Sequence, residues 1–334
     1  MTSTTPGFSP TRVRAAPAAT IWLHRYAVFV GVCTALLVFA GGLVTSTGAG
    51  LSVPDWPLSY GMLFPPMVGN VRYEHGHRMV ATFVGMLTIV LAIWLYRREP
   101  HPRVRWLGFY ALGAVVLQGL LGGLTVLLLL PTPISVAHAC LGQTFFGIVV
   151  SIALLTSPGW RQARPPIPAP AGGISLRALA IVTSAAVYIQ LIVGALMRHT
   201  GAGLAIPDFP LAFGRLVPPF EAQEVVVHFA HRVMGLLVAG CGFATAMQAM
   251  RHHRDQAPLL VPALLVLGLV LAQVVLGGFT VWTRMSVVPT TLHVLNGALI
   301  LAASLVLTLR SFRMLDFAPR HPSYQPVLRQ QGVS

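Results

Sequence analysis

His77, His138, His231 and His293 each lie inside a long apolar stretch of this chain. Ionisable side chains in such stretches are costly, and they mark either a functional site or a hydrogen-bonded structural role. One buried histidine fits the structural role. Two in each half of a chain, at matching depth on matching segments, fit it poorly. Imidazoles facing each other across a helical bundle can hold a haem iron from both sides. The small neighbours Gly76, Ala137, Ala139, Ala230 and Gly297 leave room for a flat macrocycle. A metal without a porphyrin would need further oxygen or sulfur ligands. Glu74 offers one in the first half, but the second half has no matching carboxylate inside the membrane. Arg78 and Arg232 directly follow His77 and His231. Their guanidinium forks suit haem propionates, and their alternative role is to reach for the membrane interface.

These histidines are positioned by segments that read as transmembrane helices. The 334-residue chain is 55% hydrophobic and only 9% charged, which is the composition of an integral membrane protein. Eight stretches are long enough to span a bilayer: 27–47, 74–96, 107–130, 134–156, 178–198, 225–250, 258–282 and 289–309. The fold class expected is therefore all-α, with two tandem four-helix bundles. His77 should sit about 5 Å into its helix. The formal charge of +14 comes from 22 basic residues, all arginine. Sixteen flank alternate ends of the spans, at positions 12, 14, 25, 97, 98, 103, 105, 161, 164, 177, 251, 254, 310, 313, 320 and 329. That asymmetry places both termini in the cytoplasm. It is a topology signal with some attraction to membrane lipid, and no nucleic-acid footprint. The first span reads as a retained helix and not a cleaved signal. Cys33, Cys140 and Cys241 fall inside spans and read as packing residues, with no disulfide framework or cysteine metal site.

The chain is a duplication. "TGAGLSVPDWPLSYG" from Thr47 returns as "TGAGLAIPDFPLAFG" from Thr200. "HRMVATFVG" from His77 returns as "HRVMGLLVA" from His231, and "QGLLGGLTV" from Gln118 as "QVVLGGFTV" from Gln273. His138 returns as His293, and the register drifts by only two residues throughout. An even number of spans per half gives both halves the same orientation, related by a pseudo-twofold axis along the membrane normal. The expected organisation is a cytoplasmic tail (1–20), an N-terminal unit (21–156), a Pro-rich cytoplasmic linker (157–175), a C-terminal unit (176–310) and a second tail (311–334). The repeated TGAG segments are outer loops, read as interface turns with an anchoring aromatic or as lids over a buried ligand. Residues 24, 101, 252 and 253 are histidines in cytoplasmic segments and read as solvated.

The halves differ at one chemically important place. Aligning His77 with His231 sets Glu74 opposite His228. Glu74 is three residues before His77 and shares its face. A carboxylate there can shuttle protons, or it can be an acid favoured by the helix dipole.

The ordered set "TGAGLSVPDWPLSYG", "EHGHR", "AHACLGQ", "HFAHRVMG" and "TLHVLNGA" resembles the haem A synthase family over residues 20–310. The resemblance implies oxidation of a methyl substituent of haem O to formyl, through a hydroxymethyl haem, giving haem A for cytochrome c oxidase. It implies His77 and His138 at the substrate haem, with Arg78 nearby and Glu74 catalytic. It also implies His231 and His293, with Arg232, holding a permanent haem B that passes electrons. A haem O synthase and an electron donor follow as partners, and the bacterial inner membrane as the location. Some members carry a cysteine pair in the first outer loop; here Val53 and Ser59 stand where a cysteine is expected. Two other readings fit the duplicated spans. A non-catalytic bis-histidine cytochrome would place haems near both faces, and a haem-handling transporter would place polar residues near the midplane.

Overall fold

A computed structural model describes residues 18–162, 165–168 and 174–316. Among them are eight helices long and apolar enough to cross a membrane. They are α1 (Ala18–Ser46), α2 (Val71–Arg98), α3 (Pro102–Leu127), α4 (Thr132–Leu155), α6 (Leu176–His199), α7 (Gln223–His252), α8 (Ala257–Trp282) and α9 (Val287–Met314), with a one-turn helix α5 (Pro158–Arg161) in the linker. Helices satisfy their own backbone polar groups, which is why an apolar chain takes this form in lipid. Proline stands in the first turn of α3, α4 and α8, where its missing N–H has no helical partner to lose.

The helices pack as the duplication requires. Within the first half α1, α2, α3 and α4 pack in a ring, and α6, α7, α8 and α9 repeat it. Between halves, α1 packs on α9, α4 on α6, and α4 on α9. Exchanging the halves maps the first of these contacts onto the second and the third onto itself, as a twofold axis demands. Arg198 donates to the carbonyl of Thr45, its own counterpart in the repeat. The first half is filled by a cluster including Leu23, Val30, Val84, Leu91, Phe145 and Ile152, and the second by two smaller clusters.

Several helices exceed the apolar stretches. α1 begins at Ala18, inside the expected tail, because Leu23 and Ala27 are buried and His24 Nδ1 lies 2.9 Å from the carbonyl of Ala153. α9 continues past the expected end at 310 to Met314. There Arg310 donates to Pro258 O at 3.0 Å and Arg313 to Trp160 O at 3.0 Å, so arginines extend the helix by pairing with neighbouring backbone. The remainder of both expected tails lies outside the described residues. The linker is strapped down in part: Ile167 donates to Met314 O at 2.7 Å, and Arg161 pairs with the buried Glu99. His253, expected in solvent, is only 2% exposed. Its backbone caps α7 through a bond to Ala249 O at 2.9 Å.

Candidate functional site

α2 starts at Val71, three residues before the apolar stretch, so His77 lies six residues in, or about 9 Å. That is deeper than expected. His138 and His293 also stand six residues into α4 and α9, and His231 eight into α7. All four imidazoles therefore stand six to eight residues inside the starts of their helices. The rings of His231 and His293 are 6.3 Å apart between centroids.

Each ring rests on a glycine of the preceding helix. A β-carbon at Gly41 would come within 3.2 Å of His77 Cε1, at Gly122 within 3.1 Å of His138 Cε1, at Gly194 within 3.1 Å of His231 Cε1, and at Gly277 within 3.3 Å of His293 Cε1. Any larger residue would push the imidazole away. Glutamines one turn earlier complete the cradle. Gln118 donates to His138 O at 2.9 Å, Gln190 to His231 O at 2.9 Å, and Gln273 to His293 O at 3.0 Å. An i, i+4 spacing puts glutamine and glycine on one helix face. The repeated "QGLLGG" and "QVVLGG" thus spell out a histidine cradle. The second glycine of each doublet receives the loop aromatic: Gly123 faces the Trp56 ring and Gly278 the Phe209 ring. Sequence reasoning used these segments as landmarks of duplication and missed their role, although the recurrence of glutamine and glycine at one spacing was its signal.

The outer loops are clamped onto these helices by two nearly identical sets of bonds. Asp55 accepts from the N–H groups of Tyr60 at 2.7 Å and Gly61 at 2.8 Å, and Asp208 from Phe213 at 2.7 Å and Gly214 at 2.8 Å. These loop hydrogen bonds hold both carboxyls below the usual carboxylate range, those from Gly61 and Gly214 foremost. Gly61 and Gly214 take φ of 70° and 72°, a left-handed backbone that glycine adopts without strain. Arg78 donates to Asp55 O at 2.7 Å and Leu58 O at 2.8 Å. Arg232 donates to Asp208 O at 2.6 Å and Leu211 O at 2.7 Å. Both arginines, expected either at propionates or at the interface, are here loop clamps. Arg232 Nε is buried without a partner.

Glu74 is 4% exposed. One carboxylate oxygen accepts from Val53 N at 2.9 Å and the other pairs with Arg78 at 2.7 Å. His228 occupies the matching place, with Nδ1 accepting from Ile206 N at 3.2 Å. His75, on another face, bonds through Nδ1 to Ser59 Oγ at 2.8 Å, while its Nε2 is buried without a partner.

The Nδ1 atoms of His77, His138, His231 and His293 are all buried with no hydrogen-bond partner. An unpaired buried polar atom costs on the order of 1–3 kcal/mol, and its fourfold recurrence points to a missing ligand. Among the described residues no three His, Cys, Asp or Glu side chains gather into a metal cage. A pair of imidazoles therefore fits a metal that brings its own equatorial ligands, as a porphyrin does, seated against glycine-lined helix faces.

Comparison with known proteins agrees with this chemistry. The family model described as COX15-CtaA, cytochrome oxidase assembly protein, matches residues 24–71 and 70–305. The chain belongs to this family, that of the haem A synthases. It is 31% identical over 304 residues to the heme A synthase of Shouchella clausii (strain KSM-K16), covering 90% of this chain and 98% of that protein. It is 29% identical over 284 residues to the heme A synthase of Halalkalibacterium halodurans, covering 82% and 93%. With the heme A synthase of Symbiobacterium thermophilum it shares 33% over 204 residues, covering 59% and 66%. Membership of the haem A synthase family makes this chain an integral-membrane oxidoreductase of haem A synthesis.

Proposed function

We propose that this chain converts haem O to haem A by oxidising one methyl substituent to formyl. Two hydroxylations take the methyl to hydroxymethyl and then to the hydrate, each consuming one dioxygen, two electrons from the donor and two protons and releasing one water, and the hydrate then loses water to give the formyl group. The observation that carries the reading is the set of four glycine-cradled imidazoles whose Nδ1 atoms are buried without a hydrogen-bond partner, in a member of this family. The first half binds the substrate: His77 and His138 hold it, and the loop pinned by Arg78, Asp55 and Trp56 closes over it and excludes water. Glu74 is the catalytic acid–base group beside it. Its carboxylate leaves the ion pair with Arg78 to hold or pass a proton as the hydrate collapses. In the second half His231 and His293 would hold haem B, and Arg232 pins the loop of that half. Haem B, when bound, supplies one-electron transfer to the substrate site. Arg78 and Arg232 also lie where they can turn a donor to propionates. The place of all four histidines near the starts of α2, α4, α7 and α9 favours this arrangement over an electron carrier with haems near both faces.

Both termini lie in the cytoplasm of a bacterial cell, and a haem O synthase and an electron donor are partners. A reporter inserted after residue 165 should read cytoplasmic and one near residue 62 external. The test of function is haem extraction and mass analysis from cells supplying haem O. Hydroxymethyl and formyl haem should appear only with the intact chain. Purified protein carrying haem B alone, with no conversion of supplied haem O, would overturn the proposal.

A further inference from the structure

Three of the four histidine cradles have the form Gln-x-x-x-Gly: Gln118 with Gly122, Gln190 with Gly194, and Gln273 with Gly277. The fourth does not. The residue one turn before Gly41 is Leu37, in the place that Gln190 takes in the repeat. The three glutamines tie the backbone carbonyl of a histidine to the neighbouring helix at 2.9–3.0 Å. Among the described residues no side chain makes that bond to His77. A second difference points the same way. In the second half Asn296 donates to Gln273 Oε1 at 2.7 Å and to Leu269 O at 2.8 Å, so the brace is itself braced. In the first half Leu141 stands at that position, and Gln118 Oε1 is buried without a partner.

We propose that Leu37 makes His77 the releasable imidazole of the protein, so that the first half exchanges its porphyrin while the second half retains its own. Leu37 and Leu141 on one side, and Gln190 and Asn296 on the other, are positioning residues. They act through the histidine helices, Gln190 also through a contact of its Nε2 with His231 Nε2 at 3.4 Å, and touch no reacting atom. A cross-link at the ligand-bearing turn fixes the spacing of two helices, and in an apolar interior little else does so by polar contact. Where it is missing, at the α1–α2 contact around His77, the helices can part at that turn without breaking a buried hydrogen bond, since the bond from Tyr26 to Leu87 O at 3.0 Å lies ten residues farther along α2. A substrate haem must enter and its product must leave, whereas an electron-passing haem must stay. The inference rests on the proposed assignment of the first half to substrate.

The test is haem transfer from the purified, loaded full chain to apomyoglobin, followed by absorbance. The His231→Ala/His293→Ala background reads the first half and the His77→Ala/His138→Ala background reads the second. Leu37→Gln should slow first-half release about 10-fold and Gln190→Leu should speed second-half release about 10-fold, the scale on which groups supporting a ligand act. Leu37→Met should change nothing. General loosening of the fold would speed release in both halves, so opposite shifts identify the brace. Either swap leaving its half within about twofold of its parent overturns the inference, and if Leu37→Gln does not fold, Gln190→Leu decides alone. A first half that holds haem as long as the second, in the parent backgrounds, overturns instead the assignment of substrate to that half.

Discussion

The first outer loop is tied to its helix by Glu74 and the second by His228. Both side chains accept a hydrogen bond from the same loop N–H in the repeat, that of Val53 or Ile206, and both are almost fully buried. The loop requires an acceptor at this position, and a neutral imidazole supplies one. The charge of Glu74 is therefore surplus to the loop's architecture. Arg78 takes it up, while Arg232, clamping its loop through the same carbonyls, has no carboxylate partner at the corresponding place. Two copies of one scaffold thus separate what the scaffold needs from what one half adds. The additions, Glu74, His75 and Ser59, all lie where the first loop meets the start of α2, Glu74 bonding to Val53 and His75 to Ser59.

The largest effect should come from the imidazoles themselves. His231→Ala or His293→Ala should strip the stably held haem from the purified protein, lowering its content roughly 10-fold or more. His77→Ala should leave that content near wild type and abolish conversion of haem O. Pyridine haemochrome analysis checks both, and equal haem loss from the two halves would erase the contrast between them.

Next in size is the surplus charge. Glu74→Gln keeps an acceptor for Val53 N–H and removes the ion pair. Conversion per haem-B-loaded molecule should fall roughly 10²-fold, the scale for losing acid–base assistance, with haem B retained. His228→Gln should cost little. Near-normal turnover by Glu74→Gln would reduce that residue to a loop anchor like its counterpart.

The glycine cradles predict a smaller, half-specific change. Gly194→Ala or Gly277→Ala sets a methyl group against an imidazole, so haem B affinity should drop about 10-fold. Gly41→Ala or Gly122→Ala should raise the haem O concentration needed for half-maximal turnover instead. Titration of each apo variant with haem separates the two.

The smallest effect is a shared one. Asp55 and Asp208 titrate below the ordinary carboxylate value of about 3.9, because two loop N–H groups stabilise each anion. The unfolded chain binds these protons more readily. Their contribution is thus fully present above about pH 4 and is lost as pH falls through the lower folded values. Protease sensitivity of both loops should rise together below that pH. Asp55→Asn and Asp208→Asn should each flatten the response of one loop alone.

The sequence by itself determined the eight spans, their duplication and the four histidines, because each is written in local signals: apolar length, a repeated register, and polar residues where lipid tolerates few. It also showed Glu74 opposite His228, since that contrast needs only an alignment. It could not show that the two residues do the same mechanical work, because the partner N–H groups lie in loops some twenty residues away. The loop contacts of the arginines were hidden for a similar reason: a guanidinium next to a histidine in an apolar span suits a propionate, and only the folded loop shows that it also clamps carbonyls. The Gln-x-x-x-Gly cradle was visible as a repeat, yet its meaning depended on helix–helix contact. Glycine carries no side chain to announce what it faces, and only the packing of α1 on α2, α3 on α4, α6 on α7 and α8 on α9 reveals that each such glycine holds an imidazole. Leu37 stands out only against the three glutamines whose bonds the tertiary structure displays.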